Sequence, residues 1–141
     1  MPDADRFEEG LRVRTEVLGP EYVQRSMQAS EFARPVQEFV TEWCWGTVWA
    51  RPGLSRRERS LINLSMLTAL GRSHELRVHV RGAIHNGCTE TEIQETLLQT
   101  CVYCGVPAAM EAFRVADATL TEMRSNQAEQ GHGTSPGGSE V

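Results

Sequence analysis

Residues 55–87 read SRRERSLINLSMLTALGRSHELRVHVRGAIHNG, and their pattern decides the fold. Ser55 and Glu58 have the spacing of a capping box, in which the serine oxygen accepts from the third helical amide and the glutamate reaches back. From Leu61 to Leu70 the segment is apolar nearly all round, interrupted by Asn63, Ser65 and Thr68, which predicts a buried central helix over about 55–70. Gly71 ends it. Ser73 is placed to cap a second helix reaching Asn86, and Gly87 suits the left-handed residue that follows a last turn. In that second helix Leu76, Val80, Ala83 and Ile84 share one side, while His74, Arg77, Arg81 and His85 fall opposite.

Helix signals continue outward in both directions, and no segment alternates with the period of two that a half-buried strand needs. Asp3 or Asp5 can cap a first helix that carries Phe7, Leu11 and Leu18 and ends at Gly19-Pro20. A short helix follows from about Glu21, and Phe32, Val36, Phe39, Val40 and Trp43 then recur at helical spacing up to about Trp49. Arg51-Pro52-Gly53 breaks that segment. Thr89 and Glu92 form a second capping box, and Pro107 opens a last helix through Phe113, Ala116 and Leu120. Beyond Met123 there is almost nothing to bury. The expectation is an all-α, single-domain bundle of six or seven helices over residues 1–124, with a disordered tail over 125–141.

The bulk properties narrow the function classes. A chain of 141 residues holds one domain with a sizeable core. A net charge of −5 and a pI near 5.4 argue against a nucleic-acid partner. The N-terminus has neither a basic nor an apolar region of a secretory signal, and no apolar run approaches the roughly 20 residues a bilayer requires, so no membrane association is expected. Cys44, Cys88, Cys101 and Cys104 then read as thiols in a reducing cytoplasm.

Several residues could carry chemistry. Glu75 and His79 lie four apart on a stripe bordering the buried face, where a carboxylate can favour the protonated imidazole and make a proton donor near neutral pH. An ordinary surface pair is the simpler alternative. A zinc site on His74 and His79 is refused, because histidines five apart point to different sides of a helix; no metal is expected. Cys101 and Cys104 form a CxxC, but they fall late in a helix, away from its positive end, so core packing is preferred to dithiol chemistry. Arg51, Arg56, Arg57, Arg59 and Arg72 could receive an anionic substrate through guanidinium–carboxylate pairing, or form a solvated face. Trp43, Trp45 and Trp49 supply an aromatic wall or a packing surface.

Taken in order, these residues resemble the carboxymuconolactone decarboxylase family. The resemblance rests on Glu16-Val17-Leu18-Gly19, Trp45-Gly46-Thr47-Val48-Trp49, Arg51-Pro52-Gly53-Leu54 and Arg56-x-x-Arg59-Ser60-Leu61. It continues through Ala69-Leu70-Gly71-Arg72, Glu75-Leu76-x-x-His79-x-Arg81, Asn86-Gly87 and Tyr103-x-Gly105-x-Pro107-Ala108-Ala109, and covers about Arg6 to Met123. It implies the all-helical alkylhydroperoxidase-like fold, assembled as a homo-oligomeric trimer or hexamer. Redox members of that superfamily carry a CxxC one turn before the helix histidine. Here Arg72 and Glu75 occupy those positions, which implies decarboxylation rather than peroxide reduction.

The implied reaction is cofactor-independent loss of carbon dioxide from 4-carboxymuconolactone, giving 3-oxoadipate enol-lactone in the protocatechuate branch of aromatic-acid catabolism. His79, oriented by Glu75, is the implied acid that protonates the dienolate. Arg51, Arg59 and Arg72 bind substrate carboxylates or the oxyanion, with Trp45 and Asn86 as further substrate contacts. The chain departs from the family pattern at Thr47, His85 and Cys88, where an acidic residue, asparagine and valine are usual. The alternative is therefore an enzyme of secondary metabolism with the same fold that decarboxylates, isomerises or cyclises a different lactone or acid. A thiol-redox enzyme and a non-catalytic helical oligomer stand behind these.

Overall fold

Local capping chemistry sets the helix starts in the computed structural model, which describes residues 2–133. The Asp3 side chain accepts the amide of Arg6 at 3.0 Å and opens α1 (Ala4–Leu18). Pro20 begins α2 (Pro20–Met27), where its missing N–H is one the helix would leave unpaired anyway. α3 (Arg34–Phe39) runs directly into a π-helix over Val40–Trp49. Ser55 accepts the Glu58 amide at 3.1 Å and opens α4 (Arg56–Leu70). α5 (Ser73–His85), α6 (Glu90–Tyr103) and α7 (Val106–His132) follow, and the capping box of Thr89 and Glu92 is complete. Gly71 and Gly87 adopt φ of 68° and 86°, where a side chain would be strained. Among the described residues there are seven α-helices, one π-helix and no strand, in keeping with the expected all-α bundle. No described helix is long and apolar enough to cross a membrane.

The apolar residues collect into two cores. Leu64, Leu76, Val80, Ala83, Ile93, Leu97, Ala112 and Ala116 fill the space enclosed by α4, α5, α6 and α7. Val13, Val17, Leu18, Val23, Trp45 and Trp49 fill a second space enclosed by α1, α2 and the π-helix. α5 belongs to both: Val80 and Ala83 face the first core, while Val78 packs on the second. The principal contact joining the two halves is α1 against α5. Gly82 permits it, since a Cβ there would stand 3.2 Å from Val17 Cγ1 and 3.3 Å from Leu18 Cδ2. The π-helix lies against α1 still more closely. A Cβ on Gly10 would meet the carbonyl oxygen of Thr41 at 1.9 Å, and one on Gly46 that of Arg6 at 2.2 Å.

Four expectations need correction. α4 is not the buried central helix. Only Ser60, Leu64 and Thr68 are buried along it, and Ile62, Met66 and Leu70 are exposed, because its second apolar face has no partner among the described residues. The single helix expected from Phe32 to about Trp49 is instead α3 followed by the π-helix, with Phe32, Val36 and Phe39 exposed. The wider π turn buries Thr41, Glu42, Trp45 and Trp49. The helical domain does not end at residue 124. α7 continues to His132, held in part by Arg124 donating to Glu90 at 2.6 Å, and residues 134–141 of the expected tail lie outside the described residues. Finally, Cys101 and Cys104 do not serve core packing: Cys104 is exposed and Cys101 partly so, whereas Cys88 is the buried cysteine.

Candidate active site

His79 sits where the two cores meet, and aromatic stacking defines its surroundings. Trp45 and Trp49 project from successive turns of the π-helix and stack at 4.8 Å with 20° between their planes. The imidazole lies nearly parallel to both, at 6.3 Å from Trp45 and 6.2 Å from Trp49. Burial among these rings disfavours the charged form and pulls the His79 pKa from 6.5 down to about 4, with the Glu75 carboxylate opposing weakly. This corrects the expectation of a Glu75-supported imidazolium near neutral pH. Glu75 is exposed and makes no hydrogen bond to the ring.

The polar partner of His79 is Asn63, whose Nδ2 lies 3.5 Å from His79 Nδ1 across the α4–α5 contact. An amide N–H can only donate, so this contact favours the neutral ring with its hydrogen on Nε2. Sequence reasoning missed Asn63. Its signal was present as a polar residue interrupting an apolar run, one turn beyond Arg59 on the same helical face.

Arg59 carries the most informative guanidinium of the expected set. Its Nη2 donates to the carbonyl of Arg51 at 3.3 Å, while its Nε–H is buried without any acceptor. An orphaned donor of this kind carries a desolvation penalty that a bound anion can relieve. Arg51 contributes that carbonyl and is otherwise exposed. Arg72 is exposed at the N-cap of α5, roughly 10 Å along the helix axis from His79. Asn86 is engaged elsewhere: its amide donates to Ser60 Oγ at 2.8 Å and to the Arg56 carbonyl at 3.4 Å, tying the end of α5 to the start of α4. The structure thus brings His79 and Trp45 together, with Arg59 one turn from Asn63, and leaves Glu75, Arg72 and Asn86 outside this cluster. Thr47, on the same π-helix, turns its hydroxyl back to the Glu42 carbonyl at 3.2 Å.

The arrangement offers a flat apolar wall, a neutral imidazole donor and an unsatisfied guanidinium. Together they suit a small, flat, anionic substrate in which charge develops during reaction. Among the described residues, no group of three or more His, Cys, Asp or Glu side chains is placed to hold a metal ion.

Comparison with known proteins agrees on the chemistry. The profile of the Carboxymuconolactone decarboxylase family matches residues 34–118. The nitrosuccinic acid decarboxylase of Metarhizium robertsii is 50% identical over 118 residues, covering 83% of this chain and 82% of that protein. The 4-carboxymuconolactone decarboxylase of Acinetobacter baylyi is 42% identical over 124 residues, covering 87% of this chain and 92% of that protein. An uncharacterized 15.0 kDa protein of Paracoccus denitrificans is 34% identical over 85 residues, covering 59% of this chain and 63% of that protein.

Proposed function

Because this chain belongs to the carboxymuconolactone decarboxylase family, we propose that it decarboxylates a small dicarboxylic acid whose departing carboxylate stands on a carbon joined to an electron-withdrawing group. Nitrosuccinic acid is the first substrate of that kind. The two named relatives act on acids that share this logic. When carbon dioxide leaves nitrosuccinic acid from the carbon bearing the nitro group, the electron pair passes onto the nitro oxygens. When it leaves 4-carboxymuconolactone, the pair passes through the ring double bond onto the lactone carbonyl. In both cases a second carboxylate remains to be held, and one proton is then added to carbon.

The site has a part for each demand. The Trp45–Trp49 wall is apolar and gives the departing carboxylate no partner, so its charge is less costly once spread over the transition state. Arg59 Nε–H meets the retained carboxylate. His79 donates from Nε2 to the acceptor oxygen where charge develops. The bound anion also raises the proton affinity of the ring, so with the Asn63 amide oxygen turned to Nδ1 the imidazole can take a proton from water there and pass the Nε2 proton to carbon after carbon dioxide has gone. No cofactor enters this scheme.

The 50% identity to the nitrosuccinic acid decarboxylase carries the substrate choice. The second reading, 4-carboxymuconolactone, is supported by 42% identity over nearly the whole of that relative. Purified full-length protein would be given nitrosuccinic acid and, separately, freshly generated 4-carboxymuconolactone, with carbon dioxide release followed against a protein-free control. Faster release from nitrosuccinic acid is expected. Acceleration with the lactone alone would replace the first reading by the second, and no acceleration with either would remove both substrates.

A further inference from the structure

A cleft of about 940 Å³ lies on the far side of α5 from the His79 cluster, between the α1–α2 turn and α7. None of the residues placed in the reaction lines it. Its charge is uneven: Arg25, Arg77 and Arg81 enter from two sides, against the carboxylates of Glu21 and Glu122. Glu122 is shared, since its Oε2 accepts from Arg77 at 2.8 Å and lies 3.0 Å from Arg81 Nη2. One carboxylate between two guanidiniums leaves donors of both unused and a net positive charge between them. The wall behind is fixed, because His85 Nδ1–H donates to the Val17 carbonyl at 2.7 Å and anchors the end of α5 to α1.

The cleft is also set apart from the surface that would pair with other copies. The exposed large apolar side chains lie on α3, the π-helix, α4, α6 and the start of α7, with Phe32 and Leu54 in connecting segments, and none of them lines it. From this geometry we infer that the cleft is a second binding site, separate from the decarboxylase centre, for a small multiply charged oxyanion. Its ligand bridges Arg77 and Arg81 from the open side and reaches Arg25 across the cleft. Carboxylate and phosphate oxygens both match this donor pattern, so a tricarboxylate and a polyphosphate are the two sources to separate.

Citrate and inorganic pyrophosphate serve as the probes, titrated calorimetrically into the full-length protein at constant ionic strength. Saturable binding of one anion per chain is expected. Arg81→Gln should weaken it at least tenfold, and Glu122→Gln should tighten it severalfold by removing the internal competitor for both guanidiniums. His79→Gln should bind as the unaltered protein does. Binding by citrate alone or pyrophosphate alone identifies the source. Absence of saturable binding with both, binding indifferent to Arg81→Gln and Glu122→Gln, or binding lost in His79→Gln would each overturn the inference; the last would show that the anion reads the decarboxylase centre instead. A further Arg25→Gln variant, which alters no ion pair within the described residues, keeps the test open if Arg81→Gln fails to fold.

Discussion

Replacing His79 by glutamine keeps a hydrogen-bond donor but removes the proton carrier. Turnover is expected to fall by about 10²-fold or more, with substrate affinity changed only a few-fold, as kcat and KM measured separately would show. The same residue governs a pH effect on stability. Its folded pKa of about 4 lies below the ordinary 6.5, so between those values the unfolded chain takes up a proton that the folded one refuses. Stability is therefore lost as pH falls through that window, by about 3 kcal/mol once below pH 4, and nothing is lost above pH 7. Urea titrations at pH 7 and pH 4.5 should show a smaller drop in the His79→Gln variant than in the unaltered protein. Asn63 acts through the ring: Asn63→Ala should shift the acid limb of the kcat/KM profile while leaving the fold intact, and an unmoved limb would remove it from that role. Cys104, exposed at the end of α6, should tolerate serine with unchanged turnover; abolished activity would instead bring back thiol chemistry.

Helix boundaries were readable because capping is local: Ser55 and Thr89 open α4 and α6, and Gly71 and Gly87 close α4 and α5. Two caps differ from the expectation: Glu58 accepts from the Ser55 hydroxyl instead of reaching back to the backbone, and Arg72 takes the cap position of α5 while Ser73 donates to Glu111. The π-helix was not readable, because its wider turn depends on α1 lying against it. Thr41 and Gly46 meet Gly10 and Arg6 from more than 30 residues away. The same dependence hid Asn63 from the site, since it joins His79 through a contact between elements. Residues 125–132 were misjudged for a different reason. A lack of apolar residues predicts disorder there, yet alanine, glutamate and glutamine favour the helix they extend. The close crossing yields a sharp expectation. Gly46→Ala should destabilise on the order of 3 kcal/mol, because its methyl group meets the backbone of Arg6 rather than a movable side chain. Gly53→Ala, with nothing within 4 Å, should stay within about 0.5 kcal/mol, and denaturant midpoints compare the two directly.

Across the whole molecule, apolar residues divide between cores and surface in a way that asks for other copies. Ile62, Met66 and Leu70 of α4, Val102 of α6, and Val106 and Met110 of α7 stay exposed, and the trimer or hexamer implied by the family resemblance is the proposed means of covering them. Light scattering after size exclusion should give a mass several times 15.7 kDa, and Met66→Asp should lower it. The two cores, meeting chiefly where α1 crosses α5, carry a consequence for how the protein fails under stress. A molecule built on one such joint has two thresholds rather than one. The joint can part while α4 to α7 keep their own apolar interior, and the stack of Trp45, Trp49 and His79 goes with the joint. Catalytic activity should therefore be lost, and tryptophan emission should shift to longer wavelength, together at lower urea than the loss of far-ultraviolet ellipticity. Amides of α1 and the π-helix should exchange with solvent as one unit, ahead of those in α6 and α7. Inactivation would then be a hinge failure that spares most of the helical content, and refolding would begin from a standing half of the molecule.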